Sequence, residues 1–240
     1  MAADAGRTGS SVPRPDRTRP DRTRPDRTRP DRTRPDRTLL IQFARSPQPG
    51  RVKTRMMPHL SAQQACDLHC ELLLWTARQL LDSGQGDVQL AVAGSPLHAI
   101  FRRCAQLGAL ELTRQSGRDL GERMYRALRR GLENYAAVVL VGSDCPGIDA
   151  RYLREAADAL RTRPVVLGPA VDGGYVLIGA RQICPELFAG VAWGSERVYA
   201  QTVQRMRRLG LAWAELAPQV DVDRPADLPA WYALRDGAGR

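Results

Sequence analysis

Apolar positions along this chain come in two periods. Short, nearly continuous runs, at Leu39–Phe43, Val88–Ala93, Leu110–Thr113, Ala136–Val141, Val165–Leu167, Tyr175–Ile178 and Leu211–Leu216, read as strands buried on both faces. Between them lie segments of helical period. Ser61-x-x-Gln64 forms a capping box for a first helix that runs to about Asp82, where Ser83-Gly84 ends it. A second helix covers about Leu97–Leu107. A third, from about Asp119, aligns Leu120, Met124, Leu128 and Leu132 on one face and turns Arg126, Arg129 and Arg130 to water. Asp149 is placed to cap a fourth, which carries Leu153, Ala156, Ala157 and Leu160 inward. Ser195 is expected to cap a fifth bearing Val198, Thr202, Met206 and Leu209, and Pro225 to start a short last one. Strand–helix alternation with short connections predicts an α/β, three-layer sandwich around a mostly parallel central sheet.

The first 38 residues break this pattern. Arg14 to Thr38 is five perfect copies of Arg-Pro-Asp-Arg-Thr, with no apolar residue to bury and a proline at every fifth position. Residues 1–38 are therefore expected to form a disordered arm and residues 39–240 a single domain. The array supplies five of the ten net positive charges. A basic arm suits nucleic acid, but alternating aspartates weaken its field and no aromatic residue is present to stack on bases, which argues against nucleic acid as the partner. The longest apolar stretch is far below the roughly 20 residues needed to cross a bilayer, so no membrane role is expected. Five cysteines without a Cys-x-x-Cys fit a reducing cytoplasm. Cys66, His69 and Cys70 share a helical face, a spacing that more often means packing than a metal site.

Charge type adds a further clue. Of 36 basic residues only Lys53 is a lysine, in Pro47-Gln-Pro-Gly-Arg-Val-Lys-Thr-Arg55. An ammonium on a flexible stem suits contact with a single phosphate oxygen. Pro49 stiffens the loop and Gly50 lets backbone amides approach a phosphate. Gly50-x-x-Lys53-Thr54 lacks the glycines of a P-loop. Four polar segments each follow or adjoin a strand: Arg45–Arg55, Gly142-Ser-Asp-Cys-Pro146, Gly168–Tyr175 and Asp221-Val-Asp-Arg-Pro225. In a parallel sheet such loops gather on one edge. Lys53 and Arg55 would then meet Asp144, Asp172, Asp221 and Asp223. Cations among clustered carboxylates suit a nucleoside diphosphate held through Mg²⁺ or Mn²⁺. Each aspartate also has a structural alternative: Asp144 as a turn cap, Asp172-Gly173-Gly174 as a hairpin turn, Asp223 as a helix cap.

Taken in order, Phe43–Arg55, Gln115-Ser-Gly-Arg-Asp-Leu-Gly-Glu-Arg-Met124, Gly142–Pro146, Gly168–Gly179, Trp193-Gly-Ser195 and Asp221–Leu228 resemble a family of small bacterial GT-A-like glycosyltransferases. That family was long known as a domain of unknown function and is linked with arsenosugar biosynthesis and radical-SAM/selenium gene clusters. It is related to phospholactate and molybdenum-cofactor guanylyltransferases. The resemblance spans Leu39 to about Trp231 and implies a nucleotide-diphospho-sugar transferase fold. It implies that Arg45, Pro49, Gly50, Lys53, Thr54 and Arg55 bind nucleotide phosphates, and that Asp144 holds the metal. Asp223 is a candidate second ligand on its place in the acidic cluster, although Arg224 in place of a capping hydroxyl favours a capping role for it. Asp172, Gly173, Gly174 and Tyr175 would line the substrate pocket. Arg45, Ser143 and Arg224 stand where the family more usually has Lys, Thr and Thr. The expected activity is sugar transfer from a nucleotide-diphosphate donor to a small-molecule acceptor, with Lys53 stabilising the leaving group and Asp172 taking a proton from the acceptor. Nucleotidyl transfer to a phosphorylated small molecule remains an alternative with the same loops.

Overall fold

The computed structural model describes residues 34–237; the arm as far as residue 33 lies outside them. Seven strands form one sheet in the order β3-β2-β1-β4-β6-β5-β7. They are β1 (Arg34–Arg45), β2 (Asp87–Ala93), β3 (Leu110–Arg114), β4 (Tyr135–Val141), β5 (Val165–Pro169), β6 (Tyr175–Ala180) and β7 (Trp213–Glu215). All pairs are parallel except those of β6, which runs antiparallel to both β4 and β5. Six helices connect them: α1 (Ala62–Asp82), α2 (Ala99–Leu107), α3 (Leu120–Leu132), α4 (Ala150–Thr162), α5 (Val198–Arg208) and α6 (Leu228–Gly237).

The three layers follow from strand alternation. In β4, Val139 and Val141 pack with Leu153, Ala156 and Leu160 of α4, whereas Val138 and Leu140 pack with Met124 and Leu128 of α3 and Met206 of α5. Leu90 and Val92 of β2 meet Leu73 and Ala77 of α1 and Phe101 of α2. Each such fully buried side chain is worth about 1.5–3 kcal/mol of transfer free energy. A fourth cluster (Met56, Leu68, Leu72, Val222, Leu228 and Trp231) seats α6 against α1.

Local signals account for most helix starts. Ser61, Asp119 and Asp149 accept backbone N–H bonds from Gln64, Glu122 and Tyr152, so the caps read from sequence are formed. Three details differ from expectation. β1 begins at Arg34, inside the last repeat rather than at Leu39, because its backbone pairs with Tyr135 and Ala137 of β4. Ser195 does not cap α5: its hydroxyl donates to Ala192 O within a turn, and the helix starts at Val198. Leu120 is 43% exposed, because at the first turn of α3 the apolar stripe has not yet reached the sheet.

Candidate active site

Chain order reverses between β1 and β4, which stand side by side with β2 and β3 to one side and β6, β5 and β7 to the other. Loops leaving the carboxyl ends of β1 and β4 therefore border a crevice at the switch point of an open α/β sheet. The β1 loop is rigid by sequence. Gln48-Pro49-Gly50-Arg51 is a turn closed by Arg51 N–H to Gln48 O at 2.9 Å, with Gly50 at φ 75. Proline at the second position and glycine at the third are what a type II turn needs. Ser46 N–H bonds Ala93 O and anchors the loop to β2.

Lys53 then takes a left-handed backbone (φ 49) and its side chain runs inward. Nζ donates to Val222 O at 2.6 Å and lies 2.9 Å from Asp144 Oδ1, with 3% of the side chain exposed. Lys53 was expected to reach out to phosphate; in the structure its ammonium is a buried counter-ion beneath the crevice. The contact with Asp144 is an ion pair whose geometry falls short of a hydrogen bond, so Oδ1 is buried without a hydrogen-bond partner among the described residues. The side chain of Asp144 is nevertheless 45% exposed.

The remaining loops close on this pair. Val222 N–H donates to Asp144 O at 2.9 Å, and the Val222 side chain is buried in the α1–α6 cluster. Flanking it, Asp223 pairs with Arg55 at 2.6 Å, while Asp227 accepts from the N–H groups of Asp223 and Arg224 and so does the capping. Asp221 is the more perturbed neighbour: burial first, then the charges of Asp144 and Asp172, push its carboxyl up to about 7. Asp172 is exposed, and its Oδ1 accepts Gly174 N–H at 2.9 Å. Gly173 O accepts Tyr199 N–H, which ties that turn to α5. Arg45 is exposed at the mouth, with Nη1 3.5 Å from Arg51 O.

The structure thus gathers Lys53, Arg55, Asp144, Asp221, Val222 and Asp223 into one network, with Asp172 within electrostatic reach. Thr54 is exposed beside Lys53 in a single 3-10 turn. Tyr175 is not gathered with the charged groups. Its hydroxyl is turned to Met124 Sδ at 4.0 Å, and its ring meets Trp193 edge-on. A groove of about 660 Å³ lies elsewhere, between α3 and residues 185–190, and is lined by Arg118, Tyr125, Arg129 and Phe188 but by none of these loop residues.

Two positions carry more than their sequence context suggested. Gln42, fully buried in β1, donates from Nε2 to Leu73 O and Ser143 Oγ, both at 3.0 Å, and Ser143 Oγ donates to Phe43 O at 2.8 Å. This brace fixes the residue before Asp144; a glutamine amid an apolar run was its signal. His69 of α1 lies beneath the β1 loop, with Nε2–H donating to Arg45 O at 3.0 Å and Nδ1 4.0 Å from Asp144 Oδ1.

Among the described residues no three His, Cys, Asp or Glu side chains stand ready to hold a metal. A hard divalent ion of the Mg²⁺ kind takes one or two carboxylates and fills its sphere with phosphate and water. Asp144 Oδ1, which lacks a hydrogen bond although ion-paired with Lys53, and Asp221, within electrostatic reach of it, fit that requirement. Asp223 fits it less well, since Arg55 already occupies its Oδ2.

The architecture and switch-point crevice define a nucleotide-diphospho-sugar transferase-like fold. Residues 76–195 match the family described as "uncharacterized protein conserved in bacteria" (DUF2064), and the chain belongs to that family. It is 33% identical to a candidate nucleotide-diphospho-sugar transferase from Desulfovibrio desulfuricans G20, over 82% of this chain and 87% of that one, with a TM-score of 0.75. The fold is shared at lower identity with 4-diphosphocytidyl-2C-methyl-D-erythritol synthase from Anaerococcus prevotii DSM 20548 (10% identity, 84% and 99% covered, TM-score 0.57). It is shared likewise with CMP:2-keto-3-deoxy-manno-octonic acid synthetase in complex with CTP (12%, 85% and 100%, 0.53). No curated protein matches the chain.

Proposed function

We propose that the chain is a cytoplasmic transferase that uses a nucleotide-diphosphate sugar, with a divalent metal, to glycosylate a small-molecule acceptor. The observation that carries this reading is Asp144 Oδ1 at the switch point, buried without a hydrogen bond and held only by its ion pair with Lys53, in a crevice that also bears Arg45 and Arg55. The relative from Desulfovibrio desulfuricans, by its name, points to the same class of donor.

Each residue has a part that its surroundings support. Pro49 and Gly50 hold the turn whose backbone borders the crevice, and Thr54 adds an exposed hydroxyl beside it. Arg45 and Arg55 present guanidinium groups at the mouth to the diphosphate, and Lys53 adds its charge from beneath, where low solvent access strengthens its field. Asp144, with Asp221 next to it, would hold Mg²⁺ or Mn²⁺; Asp223 acts chiefly by orienting Arg55. A bound metal would neutralise charge on the departing diphosphate. The turn Asp172-Gly173-Gly174 borders the acceptor side. Asp172 is exposed there, its Oδ1 oriented by Gly174 N–H, and takes the proton of the acceptor hydroxyl. Tyr175 shapes that side through its ring.

Calorimetric titration with nucleoside diphosphates and Mn²⁺ tests the donor half. Binding should be measurable in the wild type and lost in Asp144→Ala; undiminished affinity in that variant would refute the site. The released product settles the reaction, since pyrophosphate in place of a nucleoside diphosphate would mean nucleotidyl transfer.

A further inference from the structure

His69 plays no part in the reading above, yet it is 5% exposed and directed at the centre of the site. Its Nε2 lies 3.0 Å from the carbonyl oxygen of Arg45. A carbonyl only accepts, so Nε2 carries the proton and the neutral ring presents its lone pair at Nδ1. No described residue hydrogen-bonds Nδ1. Its polar neighbour, 4.0 Å away, is Asp144 Oδ1, itself a buried acceptor lacking a hydrogen bond. Nδ1 makes no hydrogen bond and Oδ1 is held only by its ion pair with Lys53, so a cation could be shared between two electron pairs that no proton joins. An ion bound to both at about 2.1 Å needs donors no farther apart than about 4.2 Å, and this pair meets that limit.

We infer that His69 Nδ1 is a nitrogen ligand of the divalent cation, sharing it with Asp144 Oδ1, and that this biases the site toward Mn²⁺ over Mg²⁺. The inference rests on the proposed metal–nucleotide reading. An imidazole nitrogen suits Mn²⁺ and later transition ions, whereas Mg²⁺ prefers oxygen. Lys53 Nζ approaches the same oxygen, so its repulsion keeps the metal weakly bound until diphosphate charge arrives. Ion and nucleotide should therefore enter together. The hydrogen bond to Arg45 O also fits, because a ligating histidine usually donates its other N–H and is held in orientation by that bond.

Three histidines are present, at 59, 69 and 98. This makes histidine-selective ¹⁵N labelling decisive. The full chain, labelled in this way, would be mixed with Mn²⁺ and UDP, CDP, GDP or ADP and studied by electron spin-echo modulation. The expected result is a ¹⁵N coupling at Mn²⁺ that disappears in His69→Gln, whose side-chain amide can still donate to Arg45 O. Mn²⁺ affinity in the nucleotide complex should fall roughly tenfold or more in that variant, and Mg²⁺ affinity should fall less. A wild-type complex without histidine coupling would overturn this inference and leave the proposed function standing. So would Mn²⁺ and Mg²⁺ affinities that fall together, as expected if His69 merely positions Arg45. Absence of any Mn²⁺–nucleotide complex would overturn both.

Discussion

Replacing Lys53 by methionine removes an ammonium and keeps a similar apolar stem. The hydrogen bond to Val222 O is charge-assisted and buried, a kind whose loss costs about 1.5–3 kcal/mol. The ion pair with Asp144 needs a discount. Removing one partner of a fully buried pair costs about 3–5 kcal/mol and an exposed pair contributes about 0–1. Here one partner is 3% and the other 45% exposed, so the pair lies between those limits, at about 1–2. Against this, methionine recovers about 1 kcal/mol by burying its thioether without desolvating a charge. The net expectation is a destabilisation of about 1.5–4 kcal/mol.

Urea denaturation in EDTA measures it, and a cycle with Asp144→Asn isolates the pair. The double variant should be about 1–2 kcal/mol less destabilised than the sum of the singles. The backbone supplies a second check. Lys53 sits at φ 49, so Lys53→Gly should be about 1 kcal/mol more stable than Lys53→Ala. A loss below about 0.5 kcal/mol in Lys53→Met, or strict additivity with Asp144→Asn, would refute the claim that this lysine ties the two segments together.

Arg55→Ala should cost less than about 1 kcal/mol in stability, since its pair with Asp223 is exposed, yet weaken nucleoside-diphosphate binding in calorimetry. Gly173→Ala should lower the melting temperature and abolish transfer: at φ 89 the new Cβ would overlap the Glu196 carbonyl oxygen, and differential scanning calorimetry reads the loss. Asp221 sets a pH dependence. Its folded pKa of about 7 stands above the usual carboxylate value, so the native state holds the extra proton between about pH 4 and 7. Its stabilising contribution is complete below about pH 4 and is lost as pH rises through about 7. In EDTA, wild type should lose more stability from pH 5 to pH 8 than Asp221→Asn does, by urea midpoints at both pH values.

The five inner strands could be read from sequence because they are largely buried on two faces, whereas β3 and β7, at the sheet edges, are mostly half-buried or exposed, against the expectation of burial on both faces. The helix caps could be read because a cap is a local hydrogen bond. What escaped depends on partners distant in the chain. Nothing near Arg34 announces that β1 will extend along β4, and nothing near Ser195 says that Ala192 O will take its hydroxyl. The charged loops were legible as a group through their common position after strands. Their internal pairing was not: whether Lys53 faces outward or down depends on Val222 O, 169 residues away. His69 was obscured by its neighbours, since Cys66 and Cys70 share its helix face and draw attention from the β1 loop.

The charge balance of the crevice supports the proposed cation. Lys53 and Arg55 each meet one carboxylate of the cluster, Asp144 and Asp223. Asp221 has no such partner, and the charges of Asp144 and Asp172 raise its carboxyl further than Lys53 can lower it. Resident positive charge therefore falls short, and near neutral pH a proton on Asp221 makes up the difference. Asp144 Oδ1 shows the same shortage in geometry, buried against an ammonium that is not aligned to hydrogen-bond it. A divalent ion would replace that proton and satisfy that oxygen in one step. Its excess charge over what the carboxylates need would then be available to a diphosphate arriving between Arg45 and Arg55.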